Sequence, residues 1–229
     1  MKGGPFVYTK DGRLKRDEEI IIMECHGGCT CSEQCRNRVI QQGRKMKLKL
    51  KKTKKKGWGL FTKEAIPALT FIGVYGGEMI TTTESDTRGD LYDTCFKGRT
   101  YQYGLDFHYQ KTAANEPSFV VDAFWVGNYT RFLNHSCDPN CATFPAYIEE
   151  TDLRKPFLVM FTTKDVKHGE ELTFNYSGSS YDDDGNPKVC RENNICIYSM
   201  ANWMYDSGGI RIKGADESVQ VPLRFRKLS

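Results

Sequence analysis

The chain has 229 residues, 39% of them hydrophobic and 27% charged, with 33 basic against 29 acidic side chains and a formal net charge of +4. That length and balance bury a core without help from disulfides, which excludes a disordered chain or a disulfide-framed miniprotein. A mean hydropathy of -0.57 and the lack of any apolar run near the roughly 20 residues of a membrane helix argue against a membrane protein.

The opening stretch, MKGGPFVYTKDGR, has no apolar signal region. The nine cysteines are therefore expected in a reducing compartment, as thiols or metal ligands. Three sections follow one another: residues 1–43, a polar lead-in ending in a cysteine-rich stretch; 44–178, short strand-like runs broken by Gly, Pro and Asn; and 179–229, which opens among the turn formers and acids of SGSSYDDDGNPK.

Within 1–43, Cys25, Cys29, Cys31 and Cys35 give CxxxCxCxxxC, with Gly27 and Gly28 to let the chain curl. Four thiolates so close together suit tetrahedral zinc. Buried structural cysteines are the alternative, and the spacing is not the paired CxxC of a simple zinc finger.

Residues 44–56 then carry nine lysines and arginines and no acid. Such a run attracts nucleic acid or an acidic protein face. Met46, Leu48 and Leu50 alternate with Lys47, Lys49 and Lys51, which equally describes a strand with one buried face and one lysine-covered face. Both readings stay open.

Further strands are expected at 70–75, 99–106, 118–122, 157–163 and 171–176, where β-branched and aromatic residues concentrate. Helices are expected at 82–94, behind a threonine-rich cap with Glu84 near its start, and briefly around 127–133. No fixed-period repeat is present. The fold class is α+β and β-rich, built of several small sheets.

Beyond these patterns, IIMECHGGCTCSEQCRNRVIQQG, residues 21–43, resembles the end of the pre-SET region of heterochromatin-type protein lysine methyltransferases. KKGWGLF, FIGVYGGEMIT, YQYGLD, VDAFWVGNYTRFLNHSCDPN and GEELTFNY, in that order, resemble a SET domain. The resemblance implies a SET fold closed by a C-terminal pseudoknot, in which the NHSC loop and the strand carrying Tyr176 cross. It also implies methyl transfer from S-adenosylmethionine to a lysine of the histone H3 tail, at lysine 9.

That reaction moves a methyl group from a sulfonium to a neutral amine. A lysine with a pKa of roughly 10.4 must first lose its proton and its water. Aromatic walls assist by desolvating the amine and by steadying a cationic methyl donor. By resemblance Tyr176 points its hydroxyl at the moving methyl, Tyr75 orients the amine, and Phe174 stands where a phenylalanine leaves room for two or three methyls. Core packing is the other reading of each aromatic.

For the donor, the GWG stretch reads as a flexible turn of close backbone approach, and the resemblance places Lys56, Gly57 and Trp58 around the cofactor. It gives Tyr101 to the donor's amino-acid end, Asn134 and His135 to its adenine and ammonium, and Arg131 to bracing that loop or the donor. Asp106 is assigned to an acidic peptide groove that an arginine-rich tail complements. Pro139 and Asn140 shape the turn after the histidine.

The chain departs from the family's pattern around zinc. The family's pre-SET holds three zincs with nine cysteines, and only the last four occur here. That implies a smaller site from Cys25, Cys29, Cys31 and Cys35, or a longer parent chain. The post-SET CxCxxxxC is reduced to Cys190 and Cys196, with Lys188 where a first cysteine is expected. With Cys137 they make three thiols, and Cys141 is a spare. The implied setting is chromatin in the nucleus, with the H3 tail or nucleosome as partner, possible nucleic-acid contact through 44–56, and no membrane. A SET domain that binds chromatin without turnover, or one that methylates a non-histone protein, fits the same motifs.

Overall fold

The computed structural model describes residues 6–15, 21–54, 56–96, 100–105, 119–149 and 152–176. Asp106, Cys190, Cys196 and the section expected from 179 onward lie outside the described residues. In chain order the elements are β1 (Ile22–Met23), β2 (Leu48–Lys52), β3 (Trp58–Thr62), β4 (Phe71–Val74), β5 (Glu78–Thr81), α1 (Thr82–Phe96), β6 (Gln102–Gly104), β7 (Phe119–Asp122), β8 (Asn134–His135), β9 (Cys141–Tyr147), β10 (Phe157–Thr162) and β11 (Glu171–Phe174). They assemble into small sheets ordered β1-β9-β10-β4, β2-β3-β11-β8 and β5-β7-β6, the β-rich α+β class expected.

The first sheet separates two apolar cores. FLVMFT in β10 is a continuous apolar run, the signature of a strand covered on both faces. Leu158 and Met160 enter one core with Ile72, Leu105, Leu133 and Phe174. Val159 and Phe161 enter the other with Tyr8, Leu14, Ile22, Ile40 and Phe144. The N-terminal residues are thus more than a polar lead-in, because they cover the sheet's second face. They are held there by Glu24, a buried carboxylate that accepts from Tyr8 Oη at 2.8 Å, Ile40 N at 2.7 Å and Gln41 Nε2 at 2.9 Å. Burial, with the Glu24 charge beside it, pushes the Tyr8 phenol far above its ordinary range.

The second sheet settles the local structure of the lysine run. Met46 is buried and Leu48 and Leu50 are half-buried, while Lys47, Lys49 and Lys51 are exposed, so the period-2 strand is present and lies at a sheet edge. GWG is less of a turn than expected. Gly57, at φ +70°, ends the hairpin turn in a conformation that favours glycine, and β3 begins at Trp58.

Helix α1 forms where expected and runs two residues further, with Thr81 Oγ1 accepting from Glu84 N at 3.3 Å as its cap. The second expected helix is a single 3-10 turn, Tyr129–Phe132, capped by Asn128. β9 was not expected. Pro145 in its middle argues against a strand, yet β1 pairs only with Ala146 and Tyr147, so nothing on that flank asks Pro145 for a donor.

Candidate active site

The third sheet and the parallel pairing of β8 with β11 build a pocket. Thr173 pairs with Asn134 and Phe174 with His135, which brings the NHSC segment beside the strand leading to Tyr176, as the pseudoknot crossing requires. The pocket has a volume of about 150 Å³, and its walls include Tyr75, Tyr101, Tyr103, Arg131, Phe174 and Tyr176.

Four aromatics form a continuous wall. The Tyr75 and Tyr103 rings lie 5.7 Å apart, Tyr103 stacks on Phe174 at 6.1 Å, and Phe174 meets Tyr176 at 4.8 Å. Both outer phenols spend their hydrogen on a carbonyl: Tyr75 Oη donates to Tyr101 O at 2.8 Å and Tyr176 Oη to Leu133 O at 2.9 Å. Burial, together with the neighbouring phenols, pushes the Tyr75 pKa far above the usual phenol range. Tyr75 is therefore a neutral hydroxyl whose oxygen keeps lone pairs to accept with.

Of the residues assigned to a donor, Tyr101 and Arg131 are among the pocket's walls, while Lys56, Gly57, Trp58, Asn134 and His135 are not and gather instead around β8 and the β2–β3 hairpin. Asn134 is buried and spends its amide on Trp58 O at 3.2 Å and Glu171 Oε1 at 2.7 Å, tying β8 to β3 and β11. Gly59 is needed for this approach, since a Cβ there would stand 2.6 Å from Glu171 Oε1 and 3.1 Å from Asn134 Nδ2. His135 Nδ1 accepts from Tyr176 N at 3.0 Å, and its Nε2 lies 3.3 Å from Cys137 Sγ. Burial lowers the histidine's pKa and the Lys56 charge adds to it, which keeps Nδ1 free to accept. Lys56 Nζ reaches His135 O at 3.5 Å and Glu171 Oε2 at 3.6 Å.

Arg131 donates from Nη1 to Ala123 O at 2.7 Å and Phe124 O at 3.0 Å, ahead of the NHSC loop rather than within it, and its guanidinium lies 4.2 Å over the Tyr101 ring. Its buried Nε has no hydrogen-bond partner, leaving a donor beside the pocket for an anionic ligand group.

Two polar residues that hold the pocket escaped the sequence reading. Asn140 is buried rather than a mere turn former: its amide donates to Glu171 O at 2.8 Å and its Oδ1 accepts from Thr173 N at 2.9 Å, clamping β11. Asp122, fully buried, accepts from Arg88 Nη1 at 3.1 Å, Tyr92 Oη at 2.7 Å and Phe124 N at 2.9 Å. The NP dipeptide hinted at the first only as a turn signal, and a lone acid closing an apolar run gave no pattern for the second.

In the cysteine loop the sulfurs of Cys25, Cys31 and Cys35 lie within 4.8 Å of one another. Cys29 stands outside that set, in a turn closed by its own N–H to His26 O at 3.0 Å. Cys25 and Cys35 are 4.0 Å apart, close to the ~3.8 Å edge of a tetrahedron with Zn–S bonds of about 2.3 Å. Asn37 N reaches Cys35 Sγ at 3.5 Å, and Arg38 Nη2 reaches Cys31 Sγ at 3.8 Å.

A family model described as SET domain matches residues 57–177. The chain belongs to the SET-domain family. It is 43% identical over 178 residues to the histone-lysine N-methyltransferase Su(var)3-9 of Drosophila pseudoobscura pseudoobscura, covering 77% of this chain and 27% of that protein. It is 38% identical over 217 residues to an H3 lysine-9 specific histone-lysine N-methyltransferase of Cryptococcus neoformans var. grubii, covering 80% of this chain and 12% of that one. Among solved structures it is similar to Arabidopsis thaliana SUVH6 in complex with SAM, at a TM-score of 0.67 and 29% identity, over 84% of this chain and 41% of that chain. The chain therefore spans well under half the length of these relatives.

Proposed function

We propose that this chain is a protein lysine methyltransferase that uses S-adenosylmethionine, acts on lysine 9 of the histone H3 tail in chromatin, and adds two or three methyls. The names of its relatives and the SAM-bound SUVH6 structure support the class. The observation that carries the reading is the pairing of Tyr176 with Tyr75 across one aromatic-walled pocket, both hydroxyl hydrogens already committed.

The donor, when bound, supplies a methyl group on a positively charged sulfur. The residues around the pocket fit it, because the unpartnered Arg131 Nε suits the donor's carboxylate and the tyrosine rings suit a cation. In this reading Lys56, Gly57, Trp58, Asn134 and His135 form the donor's side of the pocket. Tyr75 accepts from the incoming amine and orients it, Tyr103 and Phe174 strip its water, and Tyr176 turns oxygen lone pairs toward the methyl. Phe174, lacking a hydroxyl, leaves space for an amine already methylated. Alignment of this kind is worth on the order of 7 to 11 kcal/mol.

Cys25, Cys31 and Cys35 hold one zinc, and Cys137 a second with Cys190 and Cys196. The lysine-bearing strand β2 adds a nucleic-acid contact, and the place of action is the nucleus. Labelled-methyl transfer to recombinant H3, compared with H3 in which lysine 9 is replaced by arginine, tests the substrate. Label on the first and not the second is expected; equal labelling overturns the lysine-9 assignment.

A further inference from the structure

Several basic side chains among the described residues are neutralised locally. Lys164 pairs with Asp138 at 2.7 Å, Lys155 and Arg154 share Asp152, Arg13 pairs with Asp11 at 2.6 Å, and Arg88 meets Glu78, Glu84 and Asp122. Strand β2 gathers basic side chains that are not. Lys47, Lys49 and Lys51 all project from its exposed face, and neither they nor the flanking Lys45 and Lys54 make an ion pair among the described residues. Such a row of like charges repels itself, and a polyanion laid along it relieves that repulsion.

We infer that this row is a phosphate track for one strand of duplex DNA, running along β2 toward the donor-binding hairpin. Alternate residues of a strand recur every ~6.7 Å, on the order of the spacing between successive phosphates along one winding DNA backbone, so successive lysines meet successive phosphates. The row ends beside the site, because Lys51 pairs with Gly59 and Lys52 with Trp58 across the hairpin, and Lys56 sits in its turn. Edge lysines also deter strand pairing, but that task does not require one shared face free of acids. The contacts involve no base edges, so the track binds without sequence preference and holds the enzyme on chromatin while the pocket takes the tail. This rests on the reading of the chain as a methyltransferase of a chromatin substrate.

The test compares the unmodified chain with K47Q/K49Q/K51Q and with a charge-matched control, K155Q/K164Q/K167Q. Fluorescence anisotropy of a labelled 20-base-pair duplex is read from 50 to 200 mM salt, beside methyl transfer to a free H3 tail peptide and to nucleosomes. The β2 variant is expected to bind the duplex at least tenfold more weakly and to flatten the log–log salt slope by about 2.7, at 0.9 per phosphate contact. It should methylate the peptide normally and nucleosomes poorly, with the control near the unmodified chain throughout. Equal losses in the two variants, or no change in the β2 variant, overturn the track. Nucleosome binding that depends on β2 without any duplex binding also overturns it, in favour of an acidic protein face. If no form of the chain methylates the peptide, the methyltransferase reading fails while the duplex measurement still decides the track.

Discussion

The pocket's two sides are held by different physics. On the β8–β11 side the fasteners are mainly neutral and buried: Asn134 across to Trp58, Asn140 onto Thr173 and Glu171, and Tyr176 N onto His135, with the Glu171 carboxylate, met by Asn134 and Lys56, as the charged addition. On the side backed by β5, β7 and α1 they are charged, with Arg88 bridging three carboxylates and Tyr92 the one buried residue of the helix. Neutral hydrogen bonds inside a core are indifferent to salt and fix geometry, whereas a charge cluster at the rim is screened.

The largest expected effect on stability comes from the charged side. Arg88→Ala strands the fully buried Asp122 and should destabilise the fold by about 3 kcal/mol in chemical denaturation, the low end for a broken buried pair. A loss under 1 kcal/mol would show that α1 docks by other means. On the neutral side, Asn140→Ala leaves Thr173 N without its partner and should cost about 2 kcal/mol. Its transfer rate should fall as β11 loosens, and a stable variant with unchanged rate would deny the clamp. Smallest is the response to salt. Raising ionic strength from 0.1 to 1 M should lower the stability of the unmodified chain by less than about 1 kcal/mol, and that loss should shrink in Arg88→Ala but persist in full in Asn140→Ala. Apart from this comparison, metal analysis should give about two zincs per chain, falling to about one in Cys31→Ser.

Legibility in the sequence followed the length and regularity of each pattern. β10, β11 and α1 were readable because an unbroken apolar run or a cap with a polar helix is a local signal. β9 was hidden by Pro145, and β8, two residues long, exists only through its pairing with β11. The aromatic pocket residues were legible through motif resemblance, and the structure gathers Tyr75, Tyr101, Arg131, Phe174 and Tyr176 around one cavity. Asn140, Asp122 and Glu24 were not, because their value lies in partners many residues away, among them Thr173, Arg88 and Tyr8. Of the four thiols expected to share a metal, the structure gathers Cys25, Cys31 and Cys35, with Cys29 in the adjoining turn.

The central claim is that Tyr176 serves the transferring methyl. Steady-state transfer to an H3 tail peptide by Tyr176→Phe, with the donor's dissociation constant measured by calorimetry, tests it most directly. The hydroxyl's loss should lower transfer by roughly 10²-fold or more, with donor affinity within about threefold because the ring packing is retained. Transfer within about twofold of the unmodified chain at equal donor affinity would contradict the claim.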